Sequence, residues 1–335
     1  MSDETRTHIR LLVLVVLAFL PAIGLYGIAN QTLRERERDR QEEQLRQLAR
    51  LSTAEYRRMV GESRQLLAAL AEFPEIREAR QPECQERLES ILRHTPQYTT
   101  LSVIGRDGYM ACGSLTADGP LYLGDRAYYL LATTQERFSV GEYALGRITG
   151  KPTVGVAQPM GAPQDMAESG GGSDGDDLEN VLAASLDLTG LGRFGVQYEL
   201  PSATTLTVLD RAGNVLVRRP ARTAGGDTVG AQVGPDFPPL RAGPGDALLM
   251  ATGTDLDGVR RLFAVAPLST LGDRTPEGFV VVGTTDEQIL AAAEGVARRE
   301  LRLLAVAGVL LLVLTWAFGH YGLVRASRRP VAATE

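Results

Sequence analysis

The sequence predicts an α+β protein in which a long N-terminal helix precedes two tandem modules built on antiparallel sheets, with a transmembrane helix on each side. Two observations support this fold class. Residues 11–29 and 303–324 are apolar segments without Asp, Glu, Lys or Arg, and each is long enough to cross a bilayer core, which takes ~20 residues. Between them, one order of predicted elements occurs twice, which indicates a duplicated module.

The composition of the chain argues against several classes of function. A net charge of -6 does not provide the sustained basic surface that binds phosphates, so we expect no nucleic acid partner. The three histidines, His8, His94 and His320, are too few and too scattered for a His-based catalytic or metal site. The chain also has no Cys-x-x-Cys pair. We therefore expect no catalytic residues, no metal and no cofactor, in a protein that is not an enzyme.

The first apolar segment, 11–29, has two interpretations. Arg6 and Arg10 precede it, and Gly27-Ile28-Ala29 at its end offers small residues at the cleavage spacing of a signal peptide. Its uncharged length exceeds the roughly 7 to 15 residues of a signal-peptide core, which favours an uncleaved anchor. Arginines flank both membrane segments on both sides, so charge does not orient the chain. The size of the middle region favours a location outside the cytoplasm, with the tails, 1–10 and 325–335, inside.

A stalk helix is predicted at 30–72. Its first part, 34–44, contains no apolar residue and is expected to be solvated on every face. Farther along, apolar residues fall at helical spacing: Leu45, Leu48, Tyr56, Met59, Leu67 and Leu70. This stripe indicates a face that packs against the modules, against a second copy in a homodimer, or against both.

The first module is predicted at 73–195 and begins with a helix at 82–93. The extended runs that follow this helix flank Asp107-Gly108, and an Asp-Gly pair between extended runs is a strong hairpin signal. The predicted strands of this module are 98–104, 109–112, 152–160 and 181–187.

The second module, predicted at 196–285, repeats this order. Two of its strands, 259–268 and 279–286, take the places of the last two strands of the first module. The stretch 220–258 is rich in Pro and Gly and is expected to be mostly loop, and a connecting helix is predicted at 286–302. Five residues of the first hairpin recur at a constant offset of 105: Leu101, Val103, Ile104, Arg106 and Gly108 match Leu206, Val208, Leu209, Arg211 and Gly213.

The chain has two cysteines, Cys84 and Cys112, both in the first module. In a reducing cytosol they would be two small buried side chains. In an exported domain, a pair within one module is most simply a disulfide. The sequence favours the disulfide because it favours an exported middle region.

The first module also contains the densest cluster of polar and aromatic residues, which the second module lacks. An arginine fork matches a carboxylate, and tyrosines provide walls with hydroxyl tips. Asp187, at the end of a predicted strand, could accept an ammonium group. The alternative is an Arg126–Asp125 surface pair above a core of tyrosines. The cluster consists of Tyr122, Asp125, Arg126, Tyr128, Tyr129, Tyr143 and Lys151.

Three runs of the first module resemble those of the double Cache sensors of bacterial receptors, such as sensor histidine kinases and diguanylate cyclases. The runs are Asp125-Arg126-Ala127-Tyr128-Tyr129, Gly146-Arg147-Ile148-Thr149-Gly150-Lys151-Pro152 and Leu186-Asp187-Leu188. The resemblance covers roughly 30–324. It implies two PAS-like modules, of which the membrane-distal first module binds a small ligand and the membrane-proximal second module passes the signal on.

The members of this family that bind amino acids carry Tyr, Arg, Trp, Tyr and Asp in a recognisable pattern. Here Arg126, Tyr129 and Asp187 match it, Tyr128 stands in place of Trp, and Tyr122 lies one place from the expected Tyr. Together with Tyr143 from the cluster, these residues form the predicted ligand site, for an amino acid or an organic acid. The paired cysteines resemble a subset of the family in which the first strand pair is tied to the preceding helix.

The predicted function is that of the extracytoplasmic sensor part of a receptor in the bacterial inner membrane. We expect a homodimer that forms through the stalk and transmembrane helices. Residues 325–335 resemble the start of a linker to a cytoplasmic output domain, so the signal is expected to reach such a domain or a partner protein. The alternative is a membrane-anchored ectodomain that binds another protein, which predicts a shallow apolar surface in place of a polar pocket around Arg126.

Overall fold

The computed structural model describes residues 3–161, 178–189, 200–220 except 202, 222–223, 226–234, 237, 248–269 and 276–285, with scattered helical residues between 302 and 317. For 3–34, 37, 178–179, 222–223 and 226–227 the backbone alone is described. The chain divides into two compact units: Glu42–Asp286, and Met1–Gln41 with Glu287–Glu335. Nearly all of the predicted connecting helix and the whole of the loop 162–177 lie outside the described residues.

Helix α1 extends from Asp3 to Ala71, which confirms the predicted stalk as part of one continuous helix. Its buried residues recur every three or four positions, as one face of a helix requires. The hydroxyl of Tyr98 donates a hydrogen bond to Ser63 Oγ on this face at 2.9 Å. Of the predicted apolar stripe, Leu45, Tyr56, Leu67 and Leu70 are buried within the chain's own fold, and Leu48 and Met59 are partly buried. Ala49 and Val60 are buried on the same helix.

Among the residues whose side chains are described, no helix is both long enough and apolar enough to cross a membrane. The two predicted spans, 11–29 and 303–324, lie largely outside those residues. Within the second span, the described apolar side chains are exposed: Leu303, Val306, Val309, Leu310 and Val313.

The first module is built on a five-stranded antiparallel sheet. Two short helices, α2 (Pro74–Arg77) and α3 (Glu83–His94), lead into it, and α4 (Ala127–Gln135) connects its second and third strands. The strands are β1 (Tyr98–Gly105), β2 (Met110–Gly113), β3 (Ser139–Leu145), β4 (Pro152–Gly161) and β5 (Leu178–Asp187). Their order across the sheet is β2-β1-β5-β4-β3.

The second module has the same topology. Its strands are β6 (Thr204–Asp210), β7 (Val215–Arg219), β8 (Arg222–Thr223), β9 (Gly226–Asp227), β10 (Leu249–Thr254), β11 (Arg260–Leu268) and β12 (Gly278–Thr285). Strands β8 and β9 form a separate ribbon, and the other five form a sheet in the order β10-β11-β12-β6-β7. Read from the opposite edge, this is the order of the first sheet. The predicted duplication is confirmed.

The strand registers allow residues of the first sheet to be matched one by one with residues of the second sheet. In the first sheet Leu101 pairs with Ala184, and in the second sheet its counterpart Leu206 pairs with Val282. Both hairpin turns place their glycine at positive φ, 78° at Gly108 and 84° at Gly213, a conformation that glycine adopts without steric cost.

The elements not predicted from the sequence include α4, β3 and β10. The two strands lie at the edges of their sheets, where each is paired on one side only. Such strands can be short, polar and interrupted by glycine, as both are, and they lack the apolar pattern of a central strand. Strand β10 falls in the region expected to be mostly loop.

A disulfide joins Cys84 on α3 to Cys112 on β2, with their Cα atoms 6.3 Å apart. Both residues are buried. The predicted pairing is therefore confirmed, and it ties the first hairpin to the preceding helix.

The two modules contact each other and helix α1 within the same compact unit. The backbone N–H of Tyr143 in β3 donates to Asp210 Oδ2 at the end of β6, at 2.8 Å. Behind the sheets, side chains of α1, the first sheet and the second sheet surround one apolar cavity: Tyr56, Met59, Val154, Leu186, Leu188, Val208, Leu216 and Val217. Helix α1 thus packs on the back of both sheets.

Candidate functional site

The front face of the first sheet forms the floor of a cleft of about 520 Å³, including its open mouth. Side chains two residues apart on a strand point to the same face, and the cleft uses one such pair from β1, one from β4 and a single residue of β5 between them. The floor consists of small or hydroxyl-bearing residues: Thr100, Ser102, Thr153, Gly155 and Ser185.

The walls of the cleft are more apolar than the floor. They come from β2, from the segment between β2 and α4, and from the end of β3 and the turn after it. The apolar wall residues are Met110, Leu115, Leu121, Leu123, Leu145 and Ile148. The polar side chains of the described lining are those of the floor, Tyr128 and two arginines.

Tyr128 closes one side of the cleft, with its ring against β4. The ring fits because residue 155 is glycine: a Cβ at this position would overlap the ring carbons of Tyr128. Burial raises the pKa of Tyr128 to about 12. Its hydroxyl therefore stays neutral at physiological pH and can donate or accept one hydrogen bond.

Replacement of Gly155 with Ala is expected to lower the free energy of unfolding by about 1 to 3 kcal/mol, because the added methyl group overpacks the Tyr128 contact. Gly61, inside helix α1, provides the matched control, since its Cβ would meet nothing within 4 Å. Gly61→Ala should instead stabilise the chain by roughly 0.5 to 1 kcal/mol. Urea unfolding of the two variants and the parent compares them. Equal shifts of the same sign would contradict the assigned contact.

Arg126 lies at the N-cap of α4 and lines the cleft. Its Nη2 donates to the backbone carbonyl of Leu145 at 3.0 Å. In the part of the chain that the structure describes, no carboxylate forms an ion pair with this guanidinium. The Arg126 guanidinium lies beside the cleft and is hydrogen-bonded to one neutral carbonyl, so it can bind an anionic group of a ligand.

Arg147 is a second arginine of the lining that was not among the predicted site residues. Its guanidinium donates to both oxygens of Asp125, at 2.8 and 2.5 Å, and to the carbonyl of Tyr122. Hydrogen bonds from Arg147 lower the pKa of Asp125. The pair anchors the turn after β3 to the segment before α4. The Gly-Arg-x-Thr-Gly-Lys-Pro run pointed to this turn, but the partner 22 positions away was not evident from the sequence.

The other predicted tyrosines lie away from the cleft lining. The Tyr129 hydroxyl donates to the carbonyl of Gly105 at 2.9 Å, and its ring belongs to the core. The Tyr122 ring is 45% exposed and packs edge-on against Tyr109. Tyr143 faces the second module. Of the six predicted ligand-site residues, Arg126 and Tyr128 line the cleft.

Asp187 lies beside the cleft without lining it. It points to the same face of β5 as Ser185, and its register partner is Thr153 on β4. Its carboxylate accepts hydrogen bonds from Lys151 Nζ at 3.3 Å, from Thr189 N at 2.8 Å and from Thr189 Oγ1 at 2.5 Å. The acid is thus engaged by its own chain.

The equivalent face of the second sheet is filled. Ser102 pairs with Gly113 in the first sheet, and its counterpart Thr207 pairs with Arg218 in the second, so Arg218 stands where the first sheet has Gly113. In the same way, Arg261 and Phe263 stand where the first sheet has Thr153 and Gly155. The phenylalanine ring lies in the core of the module.

A buried ion network completes this filling. Arg218 binds both oxygens of Asp255 at 3.0 Å and Thr207 Oγ1 at 2.9 Å, and the side chains of Arg218 and Asp255 are each 1% exposed. Arg261 donates to Asp257 Oδ2 at 2.5 Å. An internal carboxylate and guanidinium therefore occupy the volume that is open in the first module.

Within the described ranges, no group of three or more His, Cys, Asp or Glu residues could hold a metal ion. The described polar groups of the cleft are hydroxyls and guanidinium groups, which suit recognition of an anion. No described cluster combines a nucleophile with a base in the cleft lining.

Comparison with known proteins identifies the fold. No protein-family model matches the chain, and no curated protein matches it. The extracellular domain of rpHK1S-Z16, assigned as a histidine kinase, is 16% identical over 75% of this chain and 97% of that domain, with a TM-score of 0.59.

Two chemoreceptor domains are similarly close. The ligand-binding domain of CtaA from Pseudomonas fluorescens, solved with L-isoleucine, is 14% identical over 77% of this chain and 98% of its own, with a TM-score of 0.56. That of PctB from Pseudomonas aeruginosa PAO1, solved with L-Arg, is 16% identical over 75% and 97%, with a TM-score of 0.55. The chain has the double Cache-like fold of these extracellular and ligand-binding domains.

Proposed function

We propose that the chain is the extracytoplasmic sensor part of a bacterial transmembrane receptor, and that it binds a small carboxylate-bearing ligand, an amino acid or an organic acid, in the cleft of its first module. One observation carries the proposal: Arg126 offers to an open cleft a guanidinium that has no ion-pair partner among the described residues. The corresponding face of the second module is filled by its own side chains. The hydroxyl-bearing floor and the two arginines of the cleft favour a small ligand over the alternative of a shallow, apolar protein-binding surface.

The location outside the cytoplasm is supported by two independent features. The Cys84–Cys112 disulfide suits an oxidising compartment, because cytosolic thiols are kept reduced. The uncharged segments 11–29 and 303–324 have the length of membrane helices, and the described apolar residues of the second are exposed. We place both tails in the cytoplasm and the modules in the periplasm, with the chain anchored in the inner membrane.

Signal transfer is proposed to run from the cleft through the second module to the membrane. The turn after β3 lines the cleft, and β3 itself binds the second module through the Tyr143–Asp210 hydrogen bond. A homodimer through the stalk and transmembrane helices would bring two such chains together. The output is a cytoplasmic domain or a partner protein, and the chain itself is not proposed to catalyse a reaction.

Replacement of Arg126 with Ala is expected to weaken ligand binding by about 2 to 5 kcal/mol, because the ligand carboxylate loses its charged partner in a desolvated site. This corresponds to a loss of roughly 30-fold to 5,000-fold in affinity. A thermal-shift screen of the 335-residue chain against amino acids and organic acids identifies the ligand, since binding raises the melting temperature. Titration calorimetry then compares the variant with the parent.

Arg93→Ala is the matched control for this experiment. It removes an arginine that is paired with Glu89 on the exposed surface of α3, and it should leave the affinity unchanged. Parental affinity in Arg126→Ala, or loss of folding in that variant, would show that Arg126 is a structural residue and would remove the support for the site.

A further inference from the structure

Among the described residues, the cleft lining offers no acidic group to receive an ammonium ion, since it contains Arg126 and Arg147 and no Asp or Glu. Asp125 and Asp187 each bind a cation of the chain itself: Arg147 in the first case and Lys151 in the second.

Asp187 is the decisive residue, because it is the only acid that the sheet register places beside the cleft floor among the described residues. One of its oxygens accepts from both the N–H and the hydroxyl of Thr189, and the other accepts from Lys151 Nζ. Lys151 is the single lysine of the chain. Its ammonium group engages the carboxylate that could otherwise accept the amino group of a ligand.

We propose that the cleft selects small organic acids that carry no amino group, such as hydroxy acids and dicarboxylic acids, over the corresponding amino acids. This inference rests on the proposed function and adds the chemical class of the ligand. The carboxylate of such a ligand pairs with Arg126. A hydroxyl group finds partners in the hydroxyls of the floor, whereas an ammonium group would lie beside the Arg126 guanidinium and would find no carboxylate among the described lining residues to neutralise its charge.

The experiment compares ligand pairs that differ only in a hydroxyl and an ammonium group. Titration calorimetry of the full chain is carried out with L-malate and L-aspartate, L-lactate and L-alanine, and L-2-hydroxyisocaproate and L-leucine. We expect at least one hydroxy acid to bind, and to bind at least about tenfold more tightly than its amino acid partner.

Substitution of Lys151 tests the cause of the selectivity. Lys151→Met removes the ammonium group from Asp187, so the preference for the hydroxy acid should fall at least about threefold. Lys151→Arg keeps the charge and should preserve the preference. Circular dichroism spectra of both variants establish that they are folded.

Each outcome has a separate meaning. Amino acids that bind as well as or better than their hydroxy partners would overturn the inference and leave the proposed function intact. If no compound of any pair binds, both the proposed function and the inference fail. A preference that persists in folded Lys151→Met would overturn the role of the Lys151–Asp187 pair.

Discussion

Replacement of Arg218 with Ala is expected to lower the free energy of unfolding by about 3 to 5 kcal/mol, the largest effect of any single substitution considered. The side chains of Arg218 and Asp255 are each 1% exposed, so removal of the guanidinium leaves a buried carboxylate without its bidentate partner. Asp255 keeps Arg261 Nε at 2.8 Å, but loss of one partner from a buried ion network costs far more than the intact pair contributes. Urea unfolding of the full chain, followed by circular dichroism, measures the difference.

Arg58→Ala serves as the control, because it also truncates one arginine of an ion pair. Arg58 and Glu62 lie 2.8 Å apart on α1, but their side chains are 65% and 54% exposed. Solvent screens such a pair, and its loss should change stability by about 0.5 kcal/mol or less. If Arg218→Ala shifts the unfolding midpoint no more than Arg58→Ala, the ion network of the second module is not energetically important.

Removal of the disulfide is expected to have an effect of similar size. Replacement of both Cys84 and Cys112 with Ala frees a loop of 28 residues, and the chain-entropy model gives a loss of about 3 to 4 kcal/mol. The loss arises because the unfolded chain regains the freedom that the crosslink removes. Urea unfolding with and without dithiothreitol measures it.

The reductant provides the internal control for this prediction. Dithiothreitol should destabilise the parent to the level of the double variant and should leave the double variant unchanged. Mass spectrometry of the unreduced protein should find the two cysteine peptides linked. A parent that is insensitive to reductant under unfolding conditions would contradict the expected contribution.

The parts of the fold that are specified locally could be predicted from the sequence. The first hairpin was evident because Asp107-Gly108 sets a tight turn between two extended runs. The constant offset to the second hairpin then predicted the duplication. Edge strands β3 and β10 were missed because a strand paired on one side does not need a continuous apolar pattern.

The candidate site was predicted less completely, because its composition depends on which way each side chain points. Arg126 and Tyr128 line the cleft, but Tyr129, only one residue farther along α4, points into the core. Tyr143 belongs to an edge strand that turns toward the second module. Arg147 was missed because its role depends on Asp125, which is distant in sequence.

The filled second module also carries a consequence for the history of the duplication. At three positions on the cleft face, small residues of the first module correspond to Arg218, Arg261 and Phe263 in the second. Removal of Arg218 alone takes the bidentate partner from Asp255 and leaves it with Arg261 Nε at 2.8 Å. Removal of Asp255 alone leaves the guanidinium groups of Arg218 and Arg261 with only Asp257 as a shared acidic partner among the described residues. Any single substitution that begins to open this face of the second module is therefore strongly destabilising, because the residues of the ion network depend on one another. Drift can close such a copy one residue at a time but cannot readily reopen it, so new ligand specificities are expected to evolve in the first module.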